Sequence, residues 1–170
     1  MEKKQVHIAY GLVTGIVTVV FYLVIYIAGV AFKPGMSYIP YIPFLAGIII
    51  NAMAYSKAND GAVTFGNVFG SCFKATMIIT LILVAWVIIC MFIFPEMKQK
   101  AMEVARESMA KNPQMTDEIM DKSMAMMQKG YTTIVVSATL FGSLFFGAIF
   151  SLIGGAIAKK NAVQPMGENN

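Results

Sequence analysis

Few residues of this sequence are of types that do chemistry, and their spacing excludes most of it. His7 is the only histidine. A catalytic triad needs a base with its orienter, and a zinc site needs three to four ligands. A lone histidine ahead of an apolar run therefore reads as structural. Cys72 and Cys90 stand 18 residues apart on one apolar run. At about 1.5 Å per residue they are about 27 Å apart, far beyond the roughly 7 Å that a disulfide spans. They read as small apolar fillers. Met120, Met124, Met126 and Met127 could suggest Cu(I), which thioethers favour. Neither Cys nor His stands beside them, so the group reads as an adaptable apolar surface. No GxSxG, P-loop, HExxH or CxxC pattern occurs. No enzyme, metal or cofactor is expected.

What remains is packing and recognition. Ser143, Gly147, Ser151 and Gly155 recur every four residues, a spacing that lets a neighbouring backbone approach closely in lipid. This face either packs within the chain or builds a homo-oligomer. Gly11 and Gly15 form a shorter version and are a candidate partner for it. Asn51 is the most polar side chain near the middle of an apolar run. A buried amide in lipid marks an inter-helix hydrogen bond or a substrate contact, and the structural bond is the simpler reading. No Asp, Glu, Arg or His lies inside any span, so a proton relay or voltage sensor has no visible parts.

The elements that position these residues follow from composition. Of 170 residues, 58% are hydrophobic and 13% charged, against about 45–50% and about 25% in soluble domains. An all-α integral membrane protein is the class that fits. The net charge of +4 is scattered, and no nucleic-acid motif accompanies it. Four spans are predicted, at about 8–32, 38–56, 69–95 and 131–158, each near the roughly 20 residues a bilayer requires. The first is too long for the apolar part of a signal peptide. In the second, proline suits a helix start, which places regular helix from about Pro43. Lys74 sits near enough to the start of the third to snorkel. Residues 159–170 form a polar tail.

Residues 96–130 hold 6 of the 13 basic and 6 of the 9 acidic residues, which marks an extramembrane insert. Asn112-Pro113 divides it into a helical hairpin. Its first arm offers Glu96–Lys100 and Glu107–Lys111 pairs. The second arm starts at Thr116, a natural N-cap, with Asp117 and Glu118 against the helix dipole. Ile119, Met120, Met124 and Met127 fall on its apolar face, the candidate partner-binding surface. Short-loop lysines place both termini in the cytoplasm. Ala54–Asn59 and Ala156–Asn161 echo each other, through a duplication or simply through lysine at a helix end.

Thr64-Phe65-Gly66-Asn67, then Phe69 and Phe73-Lys74, then Phe94-Pro95-Glu96, resemble the small membrane-protein family catalogued as domain of unknown function 4199 (DUF4199). So do Gly147-Ala148-Ile149, Ser151-Leu152-Ile153-Gly154 and Ala158-Lys159-Lys160-Asn161. The likeness runs from about Val6 to Ala162. It implies a four-span inner-membrane protein of a Gram-negative bacterium of the Bacteroidota, and it brings no catalytic residues. The expected function is that of a non-enzymatic accessory or partner-binding membrane component. The alternative is a passive small-solute pore or transporter formed by an oligomer.

Overall fold

The computed structural model describes residues 4–33 and 35–161. The chain forms α1 (His7–Ile27), α2 (Tyr41–Ala58), α3 (Phe65–Ile93), α4 (Glu96–Ala110) and α5 (Asp117–Ile157), with a 3-10 turn at Met36–Tyr38. No strand occurs among the described residues. Pro34 and the tail from residue 162 lie outside them. The segments carrying α1, α2, α3 and α5 are each long and apolar enough to cross a bilayer. This is an all-α, multi-pass membrane protein.

Local chemistry explains where each helix stops. The first span was expected to reach Phe32, yet α1 ends at Ile27. Gly29 takes φ +69°, and Val30 and Gly29 donate back to the Ile25 and Tyr26 carbonyls. That is a Schellman motif, in which glycine occupies a left-handed position that closes the helix. The same bond pattern ends α2, where Gly61 donates to Ser56 and Asp60 to Lys57. Pro43 lies in the first turn of α2 and not at its start, because the first four N–H groups of a helix need no intrahelical acceptor.

The third helix starts four residues before the expected Phe69. Thr64 Oγ1 accepts from the Asn67 N–H while Asn67 Oδ1 accepts from the Thr64 N–H, both at 3.2 Å. This reciprocal capping box satisfies two orphan donors. At the other end of the hairpin, Thr116 caps α5 by accepting from Ile119.

The largest departure from the sequence reading is α5. The insert's second arm and the fourth span are one 41-residue helix. Gly130 was read as their boundary, but a single glycine costs a helix only about 0.5–1 kcal/mol relative to alanine. Neither proline nor a capping residue stands beside it to stop the 3.6-residue period. The hairpin is therefore α4 folded back on the first turns of a helix that continues into the membrane. At about 1.5 Å per residue, α5 is about 60 Å long, twice a hydrocarbon core of about 30 Å.

Inside the bundle, α3 packs against α1, α2 and α5, and α2 also touches α1 and α5. The core joins Phe44, Ile48, Val68, Cys72 and Ile79, all at most 1% exposed. Aromatic rings lock α2 to α5: Tyr41 and Phe146 lie 4.7 Å apart, and Phe44 meets Phe150 edge-on at 5.4 Å. The outward faces carry exposed large hydrophobic residues on every spanning helix, as a surface solvated by lipid requires.

Candidate binding sites

The small-residue stripe of α5 lies inside the chain. Ser143, Gly147, Ser151 and Gly155 are buried. A Cβ on Gly147 would collide with the Thr76 side chain of α3, and one on Gly155 would lie 2.8 Å from the Phe65 ring. Thr76 in turn donates to the Gly147 carbonyl at 3.4 Å, and Ser151 to the same carbonyl at 2.6 Å. Gly154, outside the four-residue pattern, is as tightly held, with a Cβ position 3.1 Å from Ala52 and 3.2 Å from Cys72 Sγ. Gly11 and Gly15 do not meet this stripe. They receive the bulky Ile78 and Ile82 of α3, so large residues fill the notches that small ones leave.

Asn51 is fully buried. Its Nδ2 donates to Ser71 Oγ at 3.3 Å and reaches Cys72 Sγ at 3.5 Å. Among the described residues its Oδ1 has no hydrogen-bond partner, nor does the buried Thr80 Oγ1. The amide joins α2 to α3 with half its capacity. Near this cluster, His7, Lys74, Tyr55, Asn67 and Ser71 surround a polar recess of about 340 Å³ at the end of the bundle nearest the termini. Among the described residues no carboxylate lines it. Among the described residues no group of three or more His, Cys, Asp or Glu converges.

At that end the two echoing segments dock on each other. Asn161 donates to the Asp60 carbonyl at 2.8 Å and its N–H to Gly61 at 2.8 Å. Ser56 donates to the Lys159 carbonyl, and Asn59 exchanges two bonds with the Lys4 backbone. Polar residues that looked like mere helix punctuation thus tie together the start of α1, the end of α2 and the end of α5.

The hairpin divides its apolar face in two. Met120, Met124 and Met127 are half-buried, as are Met102, Ala105 and Met109 of α4, and these recur at helical spacing along the seam. Arg106 and Asp121 close the seam with the one ion pair among the described residues, 3.3 Å and more than half exposed on both sides. Neither Glu96–Lys100 nor Glu107–Lys111 forms such a pair. Glu96 accepts instead from the Tyr26 hydroxyl at 2.7 Å. Ile119 stays 50% exposed and Met126 67%.

Residues 9–160 match the family described as Protein of unknown function (DUF4199). The chain belongs to that family. Comparison with curated proteins and with solved structures gave no match. Membership of DUF4199 carries no activity with it, so the sites of this chain have to be read from their own chemistry.

One site of this DUF4199 chain escaped sequence reasoning altogether. Between α1, α3 and α5, at the hairpin end, lies an apolar cavity of about 570 Å³. Leu83 and Trp86 lie on its α3 wall, Tyr22 and Tyr26 on α1, and Val135 and Thr139 on α5. At its mouth Lys98 donates to the Gln128 carbonyl at 3.3 Å and sits 5.5 Å from the centroid of the Tyr131 ring, within cation–π range. The only signal in the sequence was Trp86, a tryptophan in mid-span and away from the headgroup zone such rings prefer.

Proposed function

We propose that this chain is a non-enzymatic, partner-binding component of a bacterial inner membrane, with its termini cytoplasmic and its hairpin on the opposite face. The observation that carries the reading is the pair Ile119 and Met126. They stand seven residues apart, on one side of α5, well exposed, and about a third of a turn from the half-buried seam methionines. Because α5 is continuous, this apolar pair is borne rigidly above the bilayer on the same rod that anchors it. Adjoining exposed apolar side chains on one face of a helix can serve a partner as a contact surface. Lysines in the short loops support the orientation.

A passive pore built by an oligomer has one feature in its favour, the unpartnered Asn51 Oδ1. Against it, the stripe that would assemble such an oligomer is occupied by Thr76 and Phe65 of the same chain.

The test places a photo-crosslinking residue at position 119, 126 or 107 in living cells. The same discrete adduct is expected from 119 and 126 and not from the exposed Glu107 position. Ile119→Glu with Met126→Glu should abolish the adduct at a crosslinker placed on the neighbouring Ser123 while membrane insertion is unchanged. Adducts spread equally over all positions, or none at 119 and 126, would remove the partner surface from consideration.

A further inference from the structure

We propose that the cavity between α1, α3 and α5 is a lipid site that takes one acyl chain of an anionic phospholipid from the surrounding leaflet. The inference is independent of the partner surface above. Its first support is depth. Leu83, at the cavity floor, precedes the end of α3 at Ile93 by ten residues, about 15 Å along the helix. Half of a hydrocarbon core is also about 15 Å. The depth of the cavity along α3 thus matches the thickness of one leaflet.

Access comes from the bundle's own packing. The cavity is not closed off on all sides. A chain can slide in from lipid without leaving the apolar phase. The volume of about 570 Å³ lies within the roughly 300–1,000 Å³ of small-molecule sites. Leu83, Trp86, Val87 and Val135 make the walls mostly apolar, which favours an apolar occupant.

Charge selects the head. Lys98 lines the mouth, and among the described residues it has no carboxylate partner. A carbonyl and a ring face hold its ammonium group in place without neutralising it. The nearest carboxylate along α4, Glu96, is turned to the Tyr26 hydroxyl. A phosphodiester carrying a net negative charge would complete the Lys98 environment, where a zwitterionic head brings its own cation. The Tyr131 phenol and the Ser37 hydroxyl, both on the lining, can hydrogen-bond the glycerol esters.

Trp86 is the single tryptophan of the chain and lines the cavity, so its fluorescence reports occupancy. The protein is reconstituted into vesicles doped with phosphatidylglycerol or phosphatidylcholine, each brominated in mid-chain. One lysine at a bilayer surface is worth about 1 kcal/mol toward an anionic lipid, a factor of about five. Brominated phosphatidylglycerol should therefore quench Trp86 at about one-fifth the mole fraction that phosphatidylcholine needs. Lys98→Gln should erase that difference and leave quenching by phosphatidylcholine unchanged. Val135→Phe, which narrows the cavity, should weaken quenching by both lipids, with thermal stability in detergent serving as the check on folding. Equal quenching by the two lipids in the wild-type protein, or a preference that survives Lys98→Gln, would overturn the proposal. Stronger quenching by brominated oleate than by the phospholipid would overturn it too, because the occupant would then be a free fatty acid.

Discussion

The two ends of this bundle are made of the same kind of helix and packed in opposite ways. At the end near the termini, α1 buries Gly11, Thr14, Gly15 and Thr18, with Ile25 alone beyond them, and α3 buries a run of positions from Val68 to Leu83. On α5 the buried residues run from Ser143 to Gly155, and none lies between Asp117 and Gly142. On α3 they stop ten residues before the helix does. Past those points α1, α3 and α5 line the 570 Å³ cavity. In lipid there is no hydrophobic force to bring two apolar helices together, so they associate where missing side chains let backbones approach. Glycine and serine supply that closeness in one half of α5. In the other half, Val135 and Thr139 line the cavity instead. One end is a lock, and the other is a space for something else.

That contrast can be tested by adding bulk to each end in turn. Gly147→Leu places a side chain where Thr76 already sits. It should destabilise the protein by about 3 kcal/mol, at the upper end of the range for overpacked cores. Val135→Phe adds similar bulk beside the cavity and should change stability by less than about 1 kcal/mol, since there is room to receive it. Reversible unfolding in mixed micelles, followed by helical circular dichroism, measures both. Equal losses at the two positions would break the comparison, because the cavity wall would then be as tightly packed as the lock.

The lock was legible in the sequence and the space was not, for a physical reason. A run of small residues at four-residue spacing is a positive pattern that survives in one dimension, and Ser143, Gly147, Ser151 and Gly155 announced it. Their counterpart was misjudged. Gly11 and Gly15 were paired with them by likeness, whereas a notch is best filled by a large residue, and Ile78 and Ile82 fill these. Gly154 went unseen because it falls off the period, although Ala52 and Cys72 crowd it from a different side. A cavity has no residues of its own. It lies between three helices, and its walls look like any other apolar face. The unbroken length of α5 was hidden for a related reason. Lys129-Gly130-Tyr131 marks a change from water to lipid, and that change of solvent was taken for a change of structure.

A smaller effect is expected from the one amide inside the lock. Asn51 gives long bonds of 3.3 and 3.5 Å and leaves its Oδ1 unpaired. Interhelical hydrogen bonds in membrane proteins average only about 0.6 kcal/mol, and an unpaired buried acceptor offsets part of that. Asn51→Leu, close in volume, should therefore shift stability by less than about 1 kcal/mol in the same unfolding assay. A loss near that of Gly147→Leu would mean that polar bonding, and not close approach, holds α2 to α3. The lock would then need a different explanation.

The weakest expected effect lies at the open end, where the hairpin meets α1. The Tyr26 hydroxyl donates to Glu96 at 2.7 Å. That bond, then the residue's own backbone bond and the charge of Lys100, hold the Glu96 carboxyl below its usual value of 4.5, against a small opposing desolvation. A carboxylate with a depressed folded-state value stabilises the fold above its unfolded value, and the contribution is lost as pH falls through the depressed one. The contact between α1 and the start of α4 should thus be strongest near neutral pH and fade in acid. Glu96 is fully exposed, so the change should stay local to the first turn of α4. Tyr26→Phe removes the largest cause, and side-chain NMR should show Glu96 titrating closer to 4.5. Amide exchange at Met97–Lys100, compared between the two proteins at each pH, should be faster in Tyr26→Phe near neutral pH, with the difference shrinking as pH falls through the depressed value. If the two proteins exchange alike at every pH, the hairpin is held at this point by backbone geometry alone. The open end would then be as fixed as the closed one, only less full.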